Sequence, residues 1–153
     1  EAETRIPPGT SFTSGIFTST DLDADGRDEL AIDVGPGTAV AFVEFFRVDP
    51  DGIHPLVIRG PADRPFVKRG PAVLGGGFDS ESQSPVECRV GSEGGRELVS
   101  IHAEAMGTPS TDPWLVHRTT MVLQGDQLLV TSTSEKTEPW AVTSSSRFVN
   151  DCT

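Results

Sequence analysis

The 153-residue chain predicts an all-β protein, and three observations carry that expectation. Short apolar runs alternate with polar residues at the period of a half-buried strand, Pro/Asp/Gly-rich turns separate them, and no segment carries a sustained helical period. Two of the longest runs are joined by tight reversals, the arrangement of antiparallel hairpins.

Taken in order, "GIFTSTDL" and "ELAIDVG" read as strands on either side of an acidic loop, with Leu30, Ile32 and Val34 alternating in the second. "TAVAFVEFFRVD" follows; its "AVAFVEFF" core is so rich in Val and Phe that a buried strand prevails over a helix. The turn "DPDG" leads back through "IHPLVI": Pro50 presets one backbone angle and Asp51-Gly52 tolerate the unusual angles of a tight reversal. "WLVHRTTMVLQGDQLLVTSTS" reads as two strands around Gln124-Gly125-Asp126-Gln127. "GRDELAI" at 26–32 is echoed by "GRELVSI" at 95–101, and each precedes a long hairpin. The expected organisation is therefore a lead-in over 1–12 and a single all-β domain over 13–153. Two four-stranded antiparallel meanders occupy about 13–59 and 72–135 of it, and a C-terminal tail follows. "RGPADRPFVKRGP" joins the meanders and holds Arg59, Arg64, Lys68 and Arg69, either solvated loop charges or a seat for an anionic partner.

With 12 basic against 23 acidic side chains and a net charge of -11, the chain repels nucleic acid and anionic lipid and suits divalent cations or basic partners; simple solubility explains the same balance. No apolar run is long enough to cross a membrane, so no membrane insertion is expected, and "EAETRIPPGT" reads as the polar start of a mature or trimmed chain. Cys88 and Cys152 lie far apart, outside any zinc-knuckle or redox spacing. They make most sense as one disulfide pinning the tail to the middle of the chain, which implies export; two unlinked buried thiols are the alternative.

The stretch "DLDADGRDEL" places Asp21, Asp23 and Asp25 at every second position before Gly26. Like charges crowded into one short loop repel unless something positive sits among them. Carboxylates at the first, third and fifth positions, the backbone carbonyl of Arg27 and the carboxylate of Glu29 can converge on one centre. Hard oxygen donors in that number suit Ca²⁺, which takes about 6–8 of them, rather than zinc. Gly26 permits the sharp turn that closes the ring, and Asp28 is out of phase. An EF-hand would place a glutamate at the twelfth position, where Ile32 stands instead. An acidic turn without metal is the other reading.

A strand, then D-x-D-x-D-G-x-x-[DE]-L, then an alternating strand resembles the FG-GAP or VCBS calcium-binding repeats of integrin alpha chains and bacterial secreted proteins. The likeness is specific over Phe17 to Val34, looser to Ile58 and faint over the second unit. It implies that Asp21, Asp23, Asp25 and Glu29 are side-chain ligands of a structural Ca²⁺, that Arg27 gives a carbonyl, and that Leu22 and Leu30 point into the core. Ala24 stands where the family often has glycine, and "FDSESQSPVECRVGSEGG" replaces the loop in the second unit without the ligand spacing. Two meanders cannot close the ring such repeats usually build, so a sandwich of two small sheets or a propeller-like fragment is expected.

Elsewhere, His102 and Glu104 share one strand face, where they could bind a metal, shuttle protons or cap one another. Trp114 and Trp140 bracket the second long hairpin and so lie near each other, as an exposed stacking platform or as a plug of the core. The resulting expectation is a secreted or cell-surface calcium-binding module, non-catalytic, engaged in binding or adhesion toward a protein or glycan partner. A secreted hydrolase using His102 and nearby carboxylates, or a stalk domain of a larger surface protein, are the alternatives; oligomeric state is not legible.

Overall fold

The computed structural model describes residues 16–33, 40–60, 70–77, 82–91, 94–139 and 148–152. All regular structure among them is β. The strands are β1 (Ile16–Thr20), β2 (Glu29–Asp33), β3 (Val40–Asp49), β4 (Gly52–Pro55), β5 (Val57–Arg59), β6 (Gly70–Pro71), β7 (Val73–Gly77), β8 (Ser82–Gln83), β9 (Val86–Val90), β10 (Arg96–Ala105), β11 (Trp114–Gln124), β12 (Gln127–Glu138) and β13 (Phe148–Asp151). The expected lead-in, most of the Arg/Lys connector and Trp140 lie outside the described residues.

Two sheets form. The first runs β1-β2-β3-β4, antiparallel throughout, with β7 also paired to β3; the second runs β13-β9-β10-β11-β12-β5-β6, with β8 against β10. Each sheet thus contains four consecutive antiparallel strands. Both expected reversals occur: Asp49 pairs with Gly52 across Pro50-Asp51, and Gln124 pairs with Gln127 across Gly125-Asp126. Gly125 has φ 62, an angle glycine adopts without steric cost, which fits a two-residue hairpin turn.

Purely antiparallel pairing is not what the second sheet shows. The "IHPLVI" segment splits at Leu56: β4 stays in the first sheet, while β5 crosses and lies parallel to β12. The crossing is a corner of backbone hydrogen bonds, with Leu56 N–H donating to Phe45 O (2.8 Å), Ala72 N–H to Leu56 O (2.8 Å) and Phe45 N–H to Ala72 O (3.1 Å). Strands that switch sheets make such corners. The tail strand β13 lies parallel to β9, with Asn150 opposite Cys88.

One apolar cluster draws on both sheets: Ala31, Val43, Phe45, Leu56 and Leu74 join Val86, Leu98, Met121, Leu128 and the Cys88–Cys152 disulfide. The inner face of β2 is therefore that of Ala31. Leu30 is only half-buried, and with Ile32 and Phe46 it occupies the opposite face, where Ile32 and Phe46 are also buried. Apolar residues cover β2 on both sides, so alternation alone could not choose the inner one, and the expected inward Leu30 is corrected. Because side chains two apart share a face, Glu29 falls on the same side as Ala31.

Candidate metal centre

The β1–β2 hairpin closes with Thr20 opposite Glu29, leaving residues 21–28 as its loop. Ala24 (φ 62) and Gly26 (φ 86) are left-handed, which folds the loop back so that its own carboxylates cap its backbone. Asp21 accepts from the N–H groups of Asp25 and Gly26 (both 3.1 Å), Asp23 from Asp25 (3.2 Å), and Asp25 from Arg27 (2.8 Å). Leu22, buried in the core, anchors the loop's start, and its N–H donates to Glu29 Oε2 at 2.7 Å.

Asp21, Asp23 and Glu29 each offer an oxygen within 4.8 Å of the others. Glu29 is the base of this group, 1% exposed. Burial pushes its carboxyl up to about 7; the Leu22 N–H opposes this, and the neighbouring Asp23 and Asp25 add to it. Asp21 moves the other way: burial works against its charge, but the Gly26 N–H and the Arg96 guanidinium outweigh it and hold its pKa below the usual value.

Asp25 is not among the three, and the Arg27 side chain turns away from them. Asp25 Oδ2 faces the Arg47 guanidinium at 3.0 Å, and the Arg27 side chain reaches Asp49 at 3.3 Å. Asp28 is exposed. Sequence reasoning missed the cations altogether. Arg47, on β3, lies 3.6 Å from Asp23 and 3.6 Å from Asp49, and donates to Gly125 O at 2.7 Å. Arg96, from the second sheet, lies 2.8 Å from the Asp21 carboxylate and also donates to the Asp21 carbonyl. A signal existed for each: Arg47 is the one cation in the largely apolar run "FVEFFRV", and Arg96 repeats the Gly-Arg of the first loop.

A second group, Asp49, Asp51 and His54, gathers at the β3–β4 turn. Its Asp49 is already engaged by Arg27 and Arg47, and Asp51 is exposed. On β10, His102 is held at both ring nitrogens, Nδ1 by Ser84 Oγ and Nε2 by Glu104 Oε1, each at 2.9 Å. Its ring stacks 6.4 Å from that of His117, its cross-strand partner, and His117 Nδ1 lies 3.2 Å from Glu135. Ser84 is buried. Trp114 is fully buried with Val99, Ile101, Ala103 and Val116, and its Nε1–H donates to Pro109 O at 3.1 Å. It offers no free face for stacking, so the platform reading of Trp114 gives way to the core plug. The hairpin register pairs Trp114 with Glu138, and Trp140 lies outside the described residues.

No family model, curated protein or solved structure matches the chain.

Proposed function

We propose that the protein is a secreted, non-catalytic binding or adhesion domain in which the β1–β2 loop takes one structural Ca²⁺. The observation that carries this reading is the grouping of Asp21, Asp23 and Glu29 within 4.8 Å. Three hard oxygen donors in a loop of calcium-type spacing suit that ion better than zinc. Burial of the Glu29 carboxyl adds to it, because a divalent cation offsets the cost of ionising an acid on the core side of a strand. Under this reading the Arg27 carbonyl and Asp25 complete the shell, with Asp25 leaving Arg47. The Cys88–Cys152 disulfide favours an oxidising compartment, hence the extracellular assignment. The two runs of four antiparallel strands act as packed meanders of FG-GAP or VCBS type, presenting their loops to a protein or glycan partner.

A second reading has its own observation. Arg47 and Arg96 already bring positive charge to Asp21, Asp23 and Asp25, so the loop is an ion-paired turn that needs no metal. Calorimetric titration with CaCl₂, paired with melting in chelator, separates the two. Extracellular sites commonly have dissociation constants of about 10⁻⁴–10⁻³ M, and calcium at ten times that value adds about 1.4 kcal/mol. The calcium reading expects that gain, and its loss in Asp23→Ala but not in Asp28→Ala. No heat at millimolar calcium, with melting indifferent to chelator, leaves the arginine-paired turn.

A further inference from the structure

We propose that Arg47 and Arg96 form a crossed internal clamp that joins the acidic loop to the second sheet. Each arginine leaves its own sheet to meet the other. Arg47 starts on β3 of the first sheet and ends on the Gly125 carbonyl of the β11–β12 turn, at 2.7 Å. Arg96 starts on β10 of the second sheet and ends on the carboxylate and carbonyl of Asp21, at the root of the β1–β2 loop. Between these ends Arg47 also faces Asp23, Asp25 and Asp49, so one guanidinium serves three turns: β1–β2, β3–β4 and β11–β12. A planar fork with five N–H donors can serve acceptors spread over several sides at once, whereas a lysine offers three donors from a single nitrogen.

Surroundings separate this from a surface ion pair. The Arg47 side chain is 18% exposed. Burial works against its charge, but Asp23, Asp49 and Asp25 outweigh that and raise its pKa. Exposed pairs such as Arg89–Glu97, whose arginine side chain is 47% exposed, contribute little because water screens them and both chains lose entropy. Removing one partner of a part-buried network instead leaves several carboxylates facing each other. A backbone link runs beside the clamp, Val57 N–H to Asp126 O at 3.0 Å, so the β11–β12 turn is tied both to β5 and to Arg47. The consequence is coupling: the acidic loop and a turn about one hundred residues away open together, with no metal required.

The test is hydrogen exchange and melting of the whole chain in chelator, comparing wild type with Arg47→Gln, Arg96→Gln and the surface control Arg89→Gln. Arg47→Gln is expected to lower the melting temperature by about 5–10 °C and the control by about 2 °C or less. Exchange should rise at least tenfold in both 21–28 and 124–127. Should Arg47→Gln fail to fold, Arg47→Lys keeps the charge without the fork and is expected to show the same paired rise. Faster exchange confined to 21–28, or a melting temperature no lower than the control's, overturns the clamp. One further arm rests on the calcium reading: Arg47→Gln removes a competitor for Asp23 and Asp25 and should bind calcium about tenfold tighter. Absence of calcium binding in both proteins ends that reading, while the exchange result still decides the clamp.

Discussion

The hairpins β1–β2 and β9–β10 open onto nearly the same words, "GRDELAI" and "GRELVSI", yet close in opposite ways. The second turns tightly: Gly91 N–H donates to Gly95 O at 2.7 Å and Gly94, at φ 81, donates to Gly91 O at 3.0 Å. Among the described residues of this turn, backbone satisfies backbone. The first spans residues 21–28 and satisfies its N–H groups with carboxylates, which then need cations of their own. The arginine following each glycine differs accordingly. Arg27 stays within its sheet, on Asp49, whereas Arg96 crosses to Asp21. The tight hairpin supplies a charge that the wide acidic hairpin uses.

The strongest way to break the comparison acts on the second hairpin. Cys88 on β9 is bonded to Cys152 beyond β13, closing a loop with a sequence separation of 64. In the chain-entropy model such a crosslink contributes about 4 kcal/mol. Cys88→Ala/Cys152→Ala should lose about that much in denaturant unfolding and release β13 from its parallel pairing with β9, seen as fast exchange over 148–151. The β1–β2 loop should keep its exchange pattern if the two hairpins are anchored separately. A matching rise over 21–28 would show that the covalent anchor also holds the acidic loop.

Acid titration probes the first hairpin instead. The Glu29 carboxyl, raised from 4.5 to about 7, is held neutral by the fold at pH values where the unfolded chain has lost the proton. Stability should therefore fall as pH rises from about 4.5 to 7 and level off above, by up to about 3 kcal/mol without calcium. Asp21, lowered from 3.8, contributes stability present above that value and lost as pH falls through its folded pKa, so the two windows do not overlap. Glu29→Gln should flatten the upper slope in urea melts recorded across pH 4.5–8. An unchanged slope would place its origin on another acid, with Glu44, also raised by burial, next in line.

The all-β class, both tight reversals and the strands around the acidic loop were legible because each rests on neighbours in sequence: Pro50-Asp51-Gly52, Gly125-Asp126, the run from Val40 to Asp49. What failed to show was long-range. Nothing local to "IHPLVI" says that Leu56 carries the chain into another sheet, or that β5 ends parallel to β12. The loop's carboxylates were equally plain, though phase alone does not separate Asp21, Asp23 and Glu29 from Asp25, which shares it and faces Arg47. Their cations were not, since Arg47 and Arg96 are separated from Asp25 and Asp21 by 22 and 75 residues. Trp114 shows the same limit: its burial depends on partners from β10, not on the "TDPW" it sits in.

The smallest expected effect sharpens the comparison at one backbone angle. Both hairpin loops contain a left-handed residue near their centre; the second uses Gly94 at φ 81, the first Ala24 at φ 62. For an L-residue with a Cβ that conformation costs about 1–2 kcal/mol, while glycine adopts it freely but loses more chain entropy on folding. Ala24 is exposed, so removing its methyl gives up no packing. Ala24→Gly should therefore stabilise the protein by about 0.5–1 kcal/mol, a rise of a few degrees in melting temperature. The gain should appear equally with calcium and with chelator if the loop holds its turn without an ion. A gain seen only in chelator would mean that the ion, rather than the arginines, sets the left-handed angle.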